Sequence, residues 1–80
     1  MPRFFIDFRR GDLIAKDDEG HEYSGLDEAR AAALASAREI LADNVKSAAR
    51  HPLDTVIITS ESGDVLMTIT AKDVLPKSRM

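Results

Sequence analysis

The chain has 80 residues, 44% of them hydrophobic and 31% charged, with a formal net charge of −3 and no cysteine. That length is one domain near the lower limit for a lone hydrophobic core, and the composition is globular, not disordered. The absence of cysteine excludes disulfides and thiolate chemistry, no apolar stretch approaches the roughly 18–20 residues that span a bilayer, and the acidic balance weighs against nucleic-acid or membrane binding.

The segment Met1 to Phe5 lacks the apolar run of a secretory signal, so the expected compartment is the cytoplasm. From Arg3 to Arg9 the residues alternate, with Phe4, Ile6 and Phe8 on one face and Phe5, Asp7 and Arg9 on the other. Period two predicts a half-buried strand. Arg10-Gly11-Asp12 supplies a turn, and a second strand, Leu13 to Lys16, returns antiparallel. Asp17-Asp18-Glu19-Gly20 is a polar turn, after which His21-Glu22-Tyr23 adds a short extended piece.

A long helix follows. Ser24 with Asp27 forms a capping-box-like pair, Asp27 being an alternative cap, and Pro52 stops the helix. At 100° per residue, Leu26, Ala29, Ala33, Leu34, Ala37, Ile40, Leu41, Val45 and Ala48 make one apolar stripe. Arg30 and Asn44 fall inside it. Two β-branched runs, Thr55 to Ser60 and Val65 to Ala71, then flank Glu61-Ser62-Gly63-Asp64, a hairpin loop with Gly63 at the left-handed position.

The order β-β-α-β-β predicts a two-layer α+β sandwich, one long helix packed on an antiparallel sheet. Residues 1–75 form the single domain and 76–80 a frayed tail. The expected core is Phe4, Ile6, Phe8, Leu26, Ala33, Ala37, Ile40, Leu41, Val56, Ile58, Val65, Met67 and Ile69.

Sites of chemistry are few. The acidic run Asp17 to Glu22 lacks the spacing of a calcium loop, and fits better a solvated turn that protects a sheet edge. His21 and His51 stand alone in sequence, without metal-ligand spacing. No catalytic residues, cofactor or metal site are expected, and the chain reads as no enzyme. Arg30 fits an ion pair with Asp7, Asp17 or Asp18 that pins loop to helix, with a small-ligand or enzyme site around Arg30 and the acidic loop as the weaker reading. Phe5, Ile14, Ile57 and Leu66 break the simple alternation and mark a second apolar face, the expected homodimer interface. Arg3, Arg9, Arg10 and Lys16, with Lys72, are the alternative, a patch for RNA or single-stranded DNA.

The opening Pro2-Arg3-Phe4-Phe5-Ile6-Asp7-Phe8, the Gly11-Asp12 turn, the Asp17-Asp18-Glu19-Gly20 loop, the segments Leu26-Asp27-Glu28-Ala29-Arg30 and Ser36-Ala37-Arg38-Glu39-Ile40-Leu41, and Gly63-Asp64-Val65-Leu66 occur in that order. Together they resemble a family of short proteins, a domain of unknown function common in rhizobia and related alphaproteobacteria. That resemblance covers nearly the whole chain and implies no activity and no catalytic residues. A more distant likeness is to HicB-type antitoxin domains, through the leading hairpin, the acidic glycine turn and a helix opening Leu-x-x-Ala. It implies a partner-binding role. The leading expectation is a non-enzymatic cytoplasmic interaction module, homodimeric and open to a further protein partner. A nucleic-acid-associated or antitoxin-like regulator is the alternative.

Overall fold

In a computed structural model, which describes residues 1–48 and 50–74, the alternating and β-branched segments pair into one antiparallel sheet. Its strands are β1 (Arg3–Arg10), β2 (Leu13–Ala15), β3 (His21–Glu22), β4 (Thr55–Ser60) and β5 (Val65–Thr70). The path runs β2-β1-β4-β5, with β3 also paired to β1. Helix α1 (Leu26–Ser47) lies between β3 and β4 in the chain, and a single turn, α2 (Ala71–Val74), follows β5. The expected two-layer α+β architecture holds; the short extended piece expected at His21 pairs with β1 as the two-residue β3, and the closing turn α2 is an addition. The tail expected at 76–80 lies outside the described residues.

Phe4 and Ile6 of β1, Val56 and Ile58 of β4 and Ile69 of β5 are buried against α1, which supplies Ala29, Ala33, Leu34, Ala37 and Leu41. The three alanines are completely buried, so the helix backbone sits close to the sheet. Phe8, Leu26, Ile40 and Met67 are partly buried around this core. Leu53 and Val74, from the segments before β4 and after β5, complete it. Neither lies in a periodic stretch, which is why the pattern of apolar residues missed them.

Val65 is not in the core; it is 62% exposed. The register explains this. Ile58 faces Met67, but Thr59 faces Val65, so one extra residue is accommodated on β5. This bulge turns Val65 away from the helix side that strict alternation with Met67 and Ile69 assigns to it.

The helix ends also differ from expectation. The N-cap is Gly25, without a side-chain cap bond. Ser24 instead uses its N–H and hydroxyl to donate to the two carboxylate oxygens of Glu28, each at 3.1 Å. At the other end Ala48 adopts the left-handed conformation, φ 51°, closing the helix before Pro52 is reached. Twenty-two helical residues span about 33 Å, whereas the six residues of β4 or β5 span about 20 Å. The buried positions of the helix run from Ala29 to Asn44, most of its length. Arg30 and Val45 point in the stripe direction yet are exposed, Val45 at 82%.

Asn44, the other polar residue of the stripe, is buried, and its Oδ1 accepts the Leu53 N–H at 2.9 Å. It ties the chain returning from α1 to the helix itself. Asn44→Ala would strand a buried N–H donor, a cost of about 1–3 kcal/mol. Urea unfolding should show the midpoint falling accordingly, a large share of the stability of a domain this size.

Candidate functional site

Cross-strand partners share a face of the sheet. On the side away from α1, Phe5 pairs with Thr59, Asp7 with Ile57, and Ile57 in turn with Thr68. The bulge at Thr59 and Val65 sets Leu66 beside the same row. Phe5, Ile57 and Leu66 thus gather around Thr59, the first two half-buried and Leu66 41% exposed. Ile14 pairs with Arg9 and stands apart on β2, 51% exposed. No element covers this face among the described residues.

The basic residues do not gather. Arg3 folds over the acidic loop, donating from Nη1 to the carbonyls of Glu19 and Gly20 at 2.8 and 3.2 Å, and meets Glu22 at 3.5 Å. Arg9 meets Asp54 at 3.5 Å, and Arg10 donates to the His51 carbonyl at 3.0 Å. Lys16 has no ion-pair partner within 4 Å among the described residues. Arg30 likewise forms no ion pair there with Asp7, Asp17 or Asp18; Asp7 lies on the face of the sheet away from α1, and the exposed Arg30 side chain is on the helix side.

Two of those aspartates build that edge. Ala15 faces Phe8 and His21 faces Phe4, so the five residues 16–20 must span only residues 5–7 of β1. Within the loop Asp17 takes the place of a strand. Its Oδ2 accepts the Ile6 N–H at 3.2 Å and its Oδ1 the Gly20 N–H at 2.9 Å. Its own N–H donates to Asp7 Oδ1 at 2.9 Å. Gly20, with φ 71°, packs so closely that a Cβ would stand 2.8 Å from the Phe4 carbonyl oxygen. A glycine is required there on both counts.

At the end of the sheet where the β1–β2 turn meets β4, Asp54 plays a similar part. One oxygen accepts the Thr55 hydroxyl at 2.7 Å, and the other accepts the Gly11 N–H at 2.7 Å. The Thr55 hydroxyl first and the Gly11 N–H next hold its pKa below the ordinary 3.8; desolvation opposes them, and the weaker Arg9 charge adds to the lowering.

Beside the loop, on the helix side, lies an open cleft of about 320 Å³. Ile6 and Phe8 floor it, Ala32 and Ser36 of α1 form one wall, and Lys16, His21 and Tyr23 the other. The volume is at the small end of ligand sites. The small helix residues keep it open. Neither the Tyr23 hydroxyl nor the Lys16, His21 and Ser36 side chains find a hydrogen-bond partner among the described residues. A second cleft of about 270 Å³, on the bare side, is lined by Phe5, by Asp7, Asp17, Asp18 and Glu61, and by Lys16. Among the described residues no group of three or more metal-ligating side chains is placed to hold an ion, and no helix is long and apolar enough to cross a membrane. The sequence flagged the acidic loop but not Asp17 as a backbone acceptor, since nothing in its spacing marks which carboxylate turns inward.

Two outcomes test this geometry. Asp17→Ala removes the acceptor for two main-chain donors, and should destabilise the domain by about 1–3 kcal/mol in urea unfolding, with faster amide exchange at Ile6. Asp54 is acidified on folding, so its contribution is present above pH 4 and fades as pH falls through its folded value. Asp54→Asn should flatten the loss of stability below about pH 4 in thermal melts.

No curated protein and no solved structure matched the chain. A protein-family model, that of the domain of unknown function DUF6894, matches residues 3–72, from the first strand to the closing turn. The chain belongs to that family.

Proposed function

We propose that this domain is a non-enzymatic interaction module of the cytoplasm, acting as a homodimer and presenting its bare sheet face to a protein partner. The observation that carries this reading is the cluster of Phe5, Ile57 and Leu66 around Thr59, on a face without a covering layer among the described residues. Apolar side chains grouped on an uncovered sheet are the usual mark of an interface. The short chain adds to this, because a second copy enlarges a core that one copy keeps small. A nucleic-acid-associated or antitoxin-like role has less support, since Arg3 and Arg9 each face a carboxylate and Arg10 a main-chain carbonyl.

The helix-side cleft favours a second reading, binding of a small molecule with a flat apolar body and hydrogen-bond acceptors. Its floor is apolar, and Lys16, Tyr23 and Ser36 offer donors at the rim. Benzoate and indole are suitable probes. Shifts of the Tyr23 and His21 ring signals at millimolar ligand, abolished by Ser36→Leu, support it; unchanged spectra remove it.

Light scattering coupled to size-exclusion chromatography tests the leading reading. A dimer is expected between about 10 µM and 1 mM, tighter with salt or unchanged, as apolar association predicts. A monomer throughout that range overturns the homodimer.

A further inference from the structure

The two edges of the sheet are built differently. On the β2–β3 side, one strand has three residues and the other two, the bulge at 16–20 separates them, and Asp17 occupies the N–H that a new strand would need. The acidic residues Asp17, Asp18, Glu19 and Glu22 crowd the same side. Short strands, a bulge and charge are the devices that stop edge-to-edge pairing. The β5 side has neither the charge nor the broken, short strands, and its one bulge, at Leu66, sits at the hairpin end and leaves Met67–Thr70 regular. Val-Leu-Met-Thr-Ile-Thr carries no charge and no proline, its register irregularity lies at the first turn of the hairpin, and no strand pairs with its outer side among the described residues.

We propose that β5 is the dimerisation edge: it pairs antiparallel with β5 of a second copy, joining two sheets into one of β2-β1-β4-β5 repeated about a two-fold axis. This rests on the homodimer reading and says which surface makes it. A second copy fits better than a foreign strand for three reasons. Only one edge of each copy is open, so pairing closes at two and cannot continue. An uncharged strand meets its own image without like-charge repulsion. The acidic edges, which carry the negative charge, end up at opposite extremes of the joined sheet.

The register follows from the faces. A two-fold normal to the sheet keeps every side chain on its own face, so opposed residues have the same parity. Centring the axis on Thr68 sets Met67 opposite the second copy's Ile69. It also brings Asp64 of each copy toward the α2 turn of the other, which carries Lys72. Opposite charges then meet beyond both ends of the paired strands. Both helices fall on one side, and the two clusters of Phe5, Ile57 and Leu66 share the other.

The test uses the full chain and two variants in light scattering, with thermal melts as the folding control. Thr68 is exposed, so Thr68→Lys leaves the fold intact while opposing two lysines at the axis. It should weaken the dimer at least about tenfold, whereas Ile14→Lys on the other edge should leave it unchanged. Because the chain has no cysteine, Thr68→Cys reports directly: oxidation should link two copies at the axis. A dimer that survives Thr68→Lys and does not cross-link through Thr68→Cys overturns the edge and leaves the homodimer standing. A monomeric wild type overturns both, and growth beyond the dimer overturns the closed pairing.

Discussion

Everything in this domain is conditioned by one contact, a single helix laid on one face of a sheet. Ala29, Ala33 and Ala37 let the helix approach until no solvent reaches them. Close approach gives dense packing over the central strands β1 and β4, where dispersion and apolar burial are concentrated. The same narrow contact cannot cover the sheet's whole width. The cleft beside β2 and β3 is what remains where the helix does not reach, and the helix wall, Ala32 and Ser36, is too small to fill it.

Because one layer is thin, the periphery is fastened by hydrogen bonds more than by packing. Asn44 holds the strand-ward return of the chain, Asp17 holds the middle of the outer edge, and Asp54 holds the junction of three segments. Each is a side-chain oxygen accepting a main-chain N–H that lacks a ladder partner. Such donors are costly when left alone, and these three residues satisfy them without adding another strand or helix. Two of the three fasteners are anions, so the acidic balance of the chain is in part structural.

Much of this is legible in the amino-acid sequence. The strands, the long helix, the Gly63 loop and most of the core follow from periods of 2 and 3.6 residues, and Asn44 stood out as polar in an apolar stripe. Failures share a cause. Periodicity gives the direction of a side chain but not the extent of what lies beneath it, so Arg30 and Val45 share the stripe and are nonetheless exposed. It also assumes regular register, so the bulge displaced Val65. Leu53 and Val74 have no period to betray them. Ser24 prefers Glu28 to the helix end, a competition between two local bonds of similar energy. Of the surface residues, Phe5, Ile57 and Leu66 meet, while Ile14 does not, because proximity across strands depends on a pairing order that one sequence does not specify.

The loop at 16–20 carries a consequence for the evolution of assemblies. Residues 16–20 exceed their counterparts on β1 by two, and two is the side-chain period of a strand. A deletion of two residues would therefore fuse β2 and β3 into one continuous strand without turning a single flanking side chain to the wrong face. The fold would survive, but the molecule would then possess two usable borders in place of one. If β5 pairs as proposed, pairing that ends at a couple would become pairing that repeats, and the product would be a ribbon. In the proposed assembly, five residues of irregular chain thus stand between a finite particle and a polymer.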